Sequence, residues 1–140
     1  MIFKENEIYI KSSKHSAQYL VDFLISQKKN PNTLDVLDYG CGPGTIHKFI
    51  KFKKVYLYDK NKISTLNFSN KFLIYKNFKL LTKSNKKFDL ILINSVIQYI
   101  NPNNVSVLLS FLDKKLKKNG IIFLGDVPKF NRVFELFFCI

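Results

Sequence analysis

Residues 34–45 constrain this chain more than any other stretch. They read Leu34-Asp35-Val36-Leu37-Asp38-Tyr39-Gly40-Cys41-Gly42-Pro43-Gly44-Thr45. A short apolar run leads into an acid and then into glycines at alternate positions. A helical pattern follows at once, at Ile46, Phe49 and Ile50. A buried strand, a tight glycine turn and a helix start are what an open α/β sheet uses to hold a nucleotide-like ligand.

The rest of the chain alternates in the same way. A first helix is expected over 12–29, capped by Ser12 or Ser13, with Ala17, Leu20, Val21, Leu24 and Ile25 on one face and Pro31 closing it. Strands are expected at 34–37, 55–58, 72–75, 88–93 and 121–124. Short helices are expected at 45–52 and 63–68. The best-marked helix starts at Asn101-Pro102, with Val105, Leu108, Leu109, Leu112 and Leu116 on its apolar face. Lysines fill its last turn and Asn119-Gly120 stops it. The apolar segment 127–140 is expected to be helical. Alternating strands and helices imply one α/β domain over 1–140, a three-layer parallel sheet in the order 3-2-1-4-5, with its cofactor-binding core at 34–126.

A chain of 140 residues with 46% hydrophobic and 24% charged residues has enough apolar surface for one core. Its net charge of +13 is high, but the lysines are scattered and Arg132 is the only arginine. That pattern reads as a general composition bias rather than a dedicated polyanion site. Cys41 and Cys139 form neither a disulfide framework nor a metal set, so no metal is expected. Lys4, Glu5 and Glu7 interrupt the start of the chain, which argues against a signal peptide there. No apolar run approaches the roughly 20 residues a membrane helix needs, and the expected location is cytoplasmic.

Ligands of such sheets lie beyond the carboxyl ends of the strands. The glycine turn, Asp59, the turn at Lys76-Asn77, Asn94-Ser95 and Asp126 all fall there. A dinucleotide is one possible ligand, and Asp59, placed after the second strand, would suit a ribose diol in either case. A dinucleotide fingerprint, however, wants its third glycine or an alanine at residue 45, where Thr45 stands. Asp38 would also repel a pyrophosphate, yet would suit a cationic amino-acid group.

The run Asp38-Tyr39-Gly40-Cys41-Gly42-Pro43-Gly44 resembles motif I of class I S-adenosylmethionine-dependent methyltransferases. The likeness continues through the strand ending in Asp59, the Phe88-Asp89-Leu90-Ile91 strand leading to Asn94-Ser95, and the strand at Ile121-Ile122-Phe123, covering roughly 15–127. The resemblance implies a Rossmann-like fold and S-adenosyl-L-methionine as cofactor. Gly40, Gly42 and Gly44 would let the backbone approach the methionine part, with Cys41 in the same turn and Asp38 near the ammonium. Asp59, with Lys60 beside it, would meet the ribose. Asn77 would hold the adenine amino group, Phe78 would pack on the ring, and Asn94 and Ser95 would line the methyl-donor end.

Methyl transfer from a sulfonium needs alignment and exclusion of water more than strong acid or base. Where a proton acceptor is needed, His15, Tyr99 and Asp126 are the candidates. No Asn-Pro-Pro-Tyr or Pro-Cys follows the fourth strand, which disfavours methylation of nucleic-acid bases at amino groups or at C5. The expected acceptor is an O or N atom of a small molecule, with RNA or protein as further options. The family sheet usually ends in an antiparallel hairpin that this chain lacks. The open edge could be covered by the apolar tail or a second copy, or the chain could be a shortened form of a longer protein. A cofactor-binding or nucleic-acid-binding module without turnover is the alternative, and an NAD-dependent oxidoreductase a third.

Overall fold

The computed structural model describes residues 2–63 and 72–127. Its most buried strand is β4 (Phe88–Asn94), where Leu90, Ile91, Leu92 and Ile93 are fully buried. Burial of each such side chain contributes roughly 1.5–3 kcal/mol, so this run belongs in the middle of a sheet covered on both faces. Around it lie β1 (Asp35–Tyr39), β2 (Lys54–Tyr58), β3 (Phe72–Tyr75) and β5 (Leu116–Gly125). All pairings are parallel and the order is β3-β2-β1-β4-β5. The expected Rossmann-like α/β architecture is what the chain adopts, and no antiparallel hairpin follows β5 among the described residues.

Alternation along the strands builds two cores. Val36, Leu90 and Leu92 face α1 (Ile2–Ser26), meeting Ala17, Leu20 and Leu24 together with Ile46 and Ile50. Leu37, Ile91 and Ile93 face the other way, toward Leu81 of α2 (Phe78–Lys83) and Val105 and Leu112 of α3 (Pro102–Asp113). Asp38 shares the face of Val36, whereas Tyr39 shares that of Leu37.

Four expectations change. The first helix begins at Ile2 rather than at residue 12 and ends at Ser26. Ser13, 1% exposed, lies on its buried face with Ala17 and Leu20 instead of capping it. The helix expected over 45–52 is a single 3-10 turn, Thr45–Lys48. The best-marked helix ends at Asp113, and the Lys114–Gly120 region expected to finish it largely belongs to β5. There Leu116 pairs with Phe88 and Ile121 with Leu90, so three extra residues bulge from β5. Asn119, at φ +62°, supplies the left-handed residue of that bulge rather than a helix stop. Finally, Asn77 caps α2, a helix the sequence pattern did not mark. Residues 64–68 of the helix expected at 63–68, and residues 128–140 of the segment expected at 127–140, lie outside the described residues.

At the amino ends of the strands, Asp35 accepts from Lys86 at 2.6 Å and from Lys117 at 3.3 Å. Lys117 also reaches Asp89 at 2.8 Å, and Asp89 Oδ2 accepts the Asp35 backbone N–H at 2.8 Å. Burial works to raise the Asp35 carboxyl, but its hydrogen bonds to the two lysines outweigh burial and hold it below its ordinary value. This cluster ties β1, β4 and β5 together at the end of the sheet opposite the glycine turn.

Candidate cofactor and acceptor site

The glycine turn leaves β1 at a point where the backbone is folded against β2. Gly40 and Cys41 both donate their N–H groups to the Tyr58 carbonyl, at 2.7 and 3.1 Å. Gly42 donates to Asp59 Oδ2 at 2.9 Å, and Gly44 donates to the Cys41 carbonyl at 2.8 Å. Pro43 has no N–H to offer. Every donor from residue 40 to 44 is therefore taken by the protein itself. A pyrophosphate needs such donors free. This turn shapes the cavity wall but presents no anion cradle.

Glycine is required at its first position for two reasons. Gly40 holds φ at +75°, and a Cβ there would overlap Val96 Cγ2. Val96 follows β4, so the turn after β1 and the loop after β4 are in direct contact. Between them and β2 opens a cavity of about 620 Å³. Its wall carries Gly40, Gly42, Asp59, Lys60, Asn94, Ser95, Tyr99 and Asp126 of the residues expected at the site. Tyr39, Pro43, Tyr58, Asn61, Val96, Gln98 and Ile100, not foreseen, complete it. The 3-10 turn Ile97–Tyr99 brings Gln98 there.

The cavity offers an acceptor in Asp59 beside a turn whose backbone donors are spent. Asn94 Oδ1 and Gln98 Oε1 are buried without a hydrogen-bond partner. Asn94 Oδ1 is packed so tightly against Gly125 that a Cβ at that glycine would overlap it. Asp59 accepts from the Gly42 and Asn61 N–H groups, at 2.9 and 2.8 Å, and a carboxylate has further lone pairs to give. A ligand rich in N–H and O–H groups fits, and the hydroxyls, amino group and ammonium of S-adenosylmethionine are such groups.

Tyr39 and Tyr58 form one wall, with ring centroids 5.0 Å apart. Burial, then the Tyr58 and Asp59 charges, push the Tyr39 phenol up to about 12, and burial raises Tyr58 as well. Both stay neutral near pH 7 and act as apolar surface. Burial also pushes the Cys41 thiol far up, with Asp38 and Asp59 adding to it, so Cys41 is no thiolate nucleophile.

Asp38 sits one layer behind. Its carboxylate is 3% exposed and meets His47 Nε2 at 2.6 Å. With Gly40, Cys41, Thr45, Ile46 and Asn94 it lines a small space of about 10 Å³, about the room of one water probe. The remaining candidates are elsewhere. Asn77 Oδ1 accepts the Leu80 N–H at 3.0 Å as the cap of α2. Phe78 packs between Tyr58 and Phe111, at 5.8 and 5.3 Å between ring centroids. Neither lines the main cavity, Gly44 caps the 3-10 turn, and His15 lines a separate groove beside α1. His47 was missed because a histidine three residues past the turn carries no motif of its own. Among the described residues, no His, Cys, Asp and Glu cluster could hold a metal ion, and no helix is long and apolar enough to cross a membrane.

Comparisons with known proteins agree with this geometry. A search of the curated proteins finds no match. Among solved structures, a S-adenosylmethionine-dependent methyltransferase from Clostridium acetobutylicum superposes with a TM-score of 0.65 at 20% identity, over 88% of this chain and 56% of that one. The magnesium protoporphyrin IX methyltransferase of Synechocystis, solved with S-adenosylmethionine bound, gives 0.63 at 18% identity, over 83% and 59%. Coclaurine N-methyltransferase, bound to N-methylheliamine and S-adenosylhomocysteine, gives 0.60 at 18% identity, over 77% and 34%. This chain thus spans from about a third to three-fifths of the length of these proteins. The family described as a methyltransferase domain matches residues 11–133, and the chain belongs to it, as a member of the class I, S-adenosylmethionine-dependent methyltransferases.

Proposed function

We propose that this chain is a methyltransferase that transfers the methyl group of S-adenosylmethionine to an O or N atom of a small molecule. The observation that carries this reading is the wall of the 620 Å³ cavity: the Asp59 carboxylate beside a turn, residues 40–44, whose backbone donors are all spent. Asp59 takes the ribose hydroxyls, with Lys60 and Asn61 at the rim. Asp38, behind the turn and paired with His47, would act on the ammonium through the small space it shares with Asn94. Asn94 and Ser95 border the donor end. S-adenosylmethionine supplies the electrophilic methyl group, and the protein aligns the acceptor and excludes water.

A small-molecule acceptor is supported by cavities in the size range of ligand pockets, roughly 300–1,000 Å³, and by the coclaurine and protoporphyrin enzymes of the same fold. The test is transfer of labelled methyl from S-adenosylmethionine to a panel of small amines and phenols. Incorporation into any of them supports turnover. Tight cofactor binding with no transfer to small molecules, RNA or protein would favour a binding module.

A further inference from the structure

A second cavity, of about 630 Å³, runs between α1 and the end of β5. Lys11, Ser12, His15 and Tyr19 stand on one face of α1 at helical spacing, opposite Phe123 and Asp126. This groove meets the cofactor cavity at a single residue, Asp126, which lines both. Asp126 is held there by Ser95: the Ser95 hydroxyl donates to Asp126 Oδ2 at 2.5 Å, and the Ser95 N–H donates to the Gly125 carbonyl at 3.0 Å. Both residues have left-handed backbones, with φ of +58° at Ser95 and +50° at Asp126. Non-glycine residues held in that region concentrate at functional sites, because only surrounding structure can keep them there. Here two of them, just past the ends of neighbouring strands, fix one carboxylate at the junction of two cavities.

We propose that the groove between α1 and β5 is the acceptor site, that it takes a small molecule bearing an amine on an apolar body, and that Asp126 holds the amine nitrogen. The proposal rests on the methyltransferase reading above. When a neutral amine reacts, its lone pair forms the new N–C bond while the C–S bond breaks with its electron pair going to sulfur. The nitrogen gains positive charge, and the product ammonium then releases one proton to solvent. A carboxylate accepts an N–H bond from such a nitrogen and offsets the growing charge. A carboxylate is far too weak a base to strip an alcohol, so a hydroxyl acceptor would gain little. Phe123 and the ring of Tyr19 supply the apolar surface. Among the described residues lining the groove, Lys11 would favour an anion instead, and it is exposed, on a long stem whose head reaches water.

Three probes with one ring decide the matter: 2-phenylethylamine, 2-phenylethanol and phenylacetate, titrated into the full chain with S-adenosylhomocysteine present and followed by amide NMR. The amine is expected to bind about ten-fold more tightly than the other two, as loss of one charge-assisted hydrogen bond implies. Its shifts should fall on Ser12, His15, Tyr19 and Phe123, and Asp126→Asn should erase its advantage over the alcohol. Equal binding of amine and alcohol, tighter binding of the acid, or shifts away from the groove would each overturn the assignment. S-adenosylhomocysteine is titrated separately. If it binds while the amine shows no preference, only the groove assignment fails. If it does not bind, the methyltransferase reading fails with it.

Discussion

His47 Nε2 lies 2.6 Å from Asp38 Oδ2, and both side chains are almost wholly buried, at 4% and 3% exposure. The pair exists because Asp38 shares its strand face with Val36, under the 3-10 turn Thr45–Lys48 that carries His47. The rings of Phe52 and Phe72 pack on the imidazole edge-on, at 6.1 and 5.4 Å between centroids. The turn beyond β1 is thus fastened at its acid as well as through its glycines.

Removing the histidine leaves a buried carboxylate with no partner. His47→Leu is expected to cost about 1–3 kcal/mol of stability in urea unfolding, the range for leaving a buried acceptor without its hydrogen bond. His47→Gln, which keeps a donor, should recover part of it. A loss under about 1 kcal/mol for His47→Leu would show that the pair does not hold the turn.

Gly40→Ala should be destabilising through backbone and packing together. The left-handed φ of +75° costs a side chain about 1–2 kcal/mol, and the new Cβ overlaps Val96 Cγ2. Thermal unfolding of Gly40→Ala and of Gly40→Ala/Val96→Ala separates the two. The double variant is expected to regain the overlap component and keep the backbone component. No difference between the two variants would mean that the contact with Val96 is relieved by a small shift.

Asp59 accepts the Gly42 N–H at 2.9 Å and the Asn61 N–H at 2.8 Å while lining the main cavity. Asp59→Ala frees the turn and removes the proposed ribose acceptor. Loss of a charge-assisted hydrogen bond implies affinity for S-adenosylhomocysteine lower by roughly ten- to a hundred-fold. Calorimetry checks this, and an unchanged affinity removes Asp59 from the site.

The Asp35 cluster predicts a pH dependence of stability. Lys86 and Lys117 hold the folded Asp35 carboxyl below its reference value of 3.8, and Asp89 is held below its own in the same way. A depressed folded pKa stabilises above the unfolded value and loses that contribution as pH falls through the folded one. Stability should therefore drop as pH falls below about 4, and Asp35→Asn should flatten that drop. Urea midpoints from pH 7 down to pH 3 measure it; an unaltered slope in Asp35→Asn would assign the acid sensitivity elsewhere.

How far the sequence could be read follows from which forces decide each segment. The strands were legible because β1, β2 and β4 are apolar runs bounded by turn residues, and their order follows from parallel crossovers. The region from Lys114 to Gly120 was misread because Leu112 and Leu116 continue a helical period and Asn119-Gly120 imitates a helix stop. Tertiary bonds override that pattern. Lys115 is 7% exposed and donates to the Thr82 and Ser84 carbonyls at 3.2 and 2.5 Å, and Leu116 pairs with Phe88. Asn77 looked like a ligand-facing loop residue because nothing apolar and periodic announces a helix as short as Phe78–Lys83. Tyr39, Tyr58 and Gln98 were invisible as site residues for a different reason: their place on the cavity wall depends on strand register and on the Ile97–Tyr99 turn, which no local motif encodes.

The central claim is that residues 40–44, with every donor spent, form the wall of a S-adenosylmethionine site rather than a dinucleotide site. Parallel thermal unfolding with S-adenosylhomocysteine and with NAD tests it most directly. At a ligand concentration of about 100 times the dissociation constant, S-adenosylhomocysteine should stabilise the protein by about 2.7 kcal/mol, and NAD at the same concentration should leave the midpoint unmoved. Stabilisation by NAD alone would contradict it.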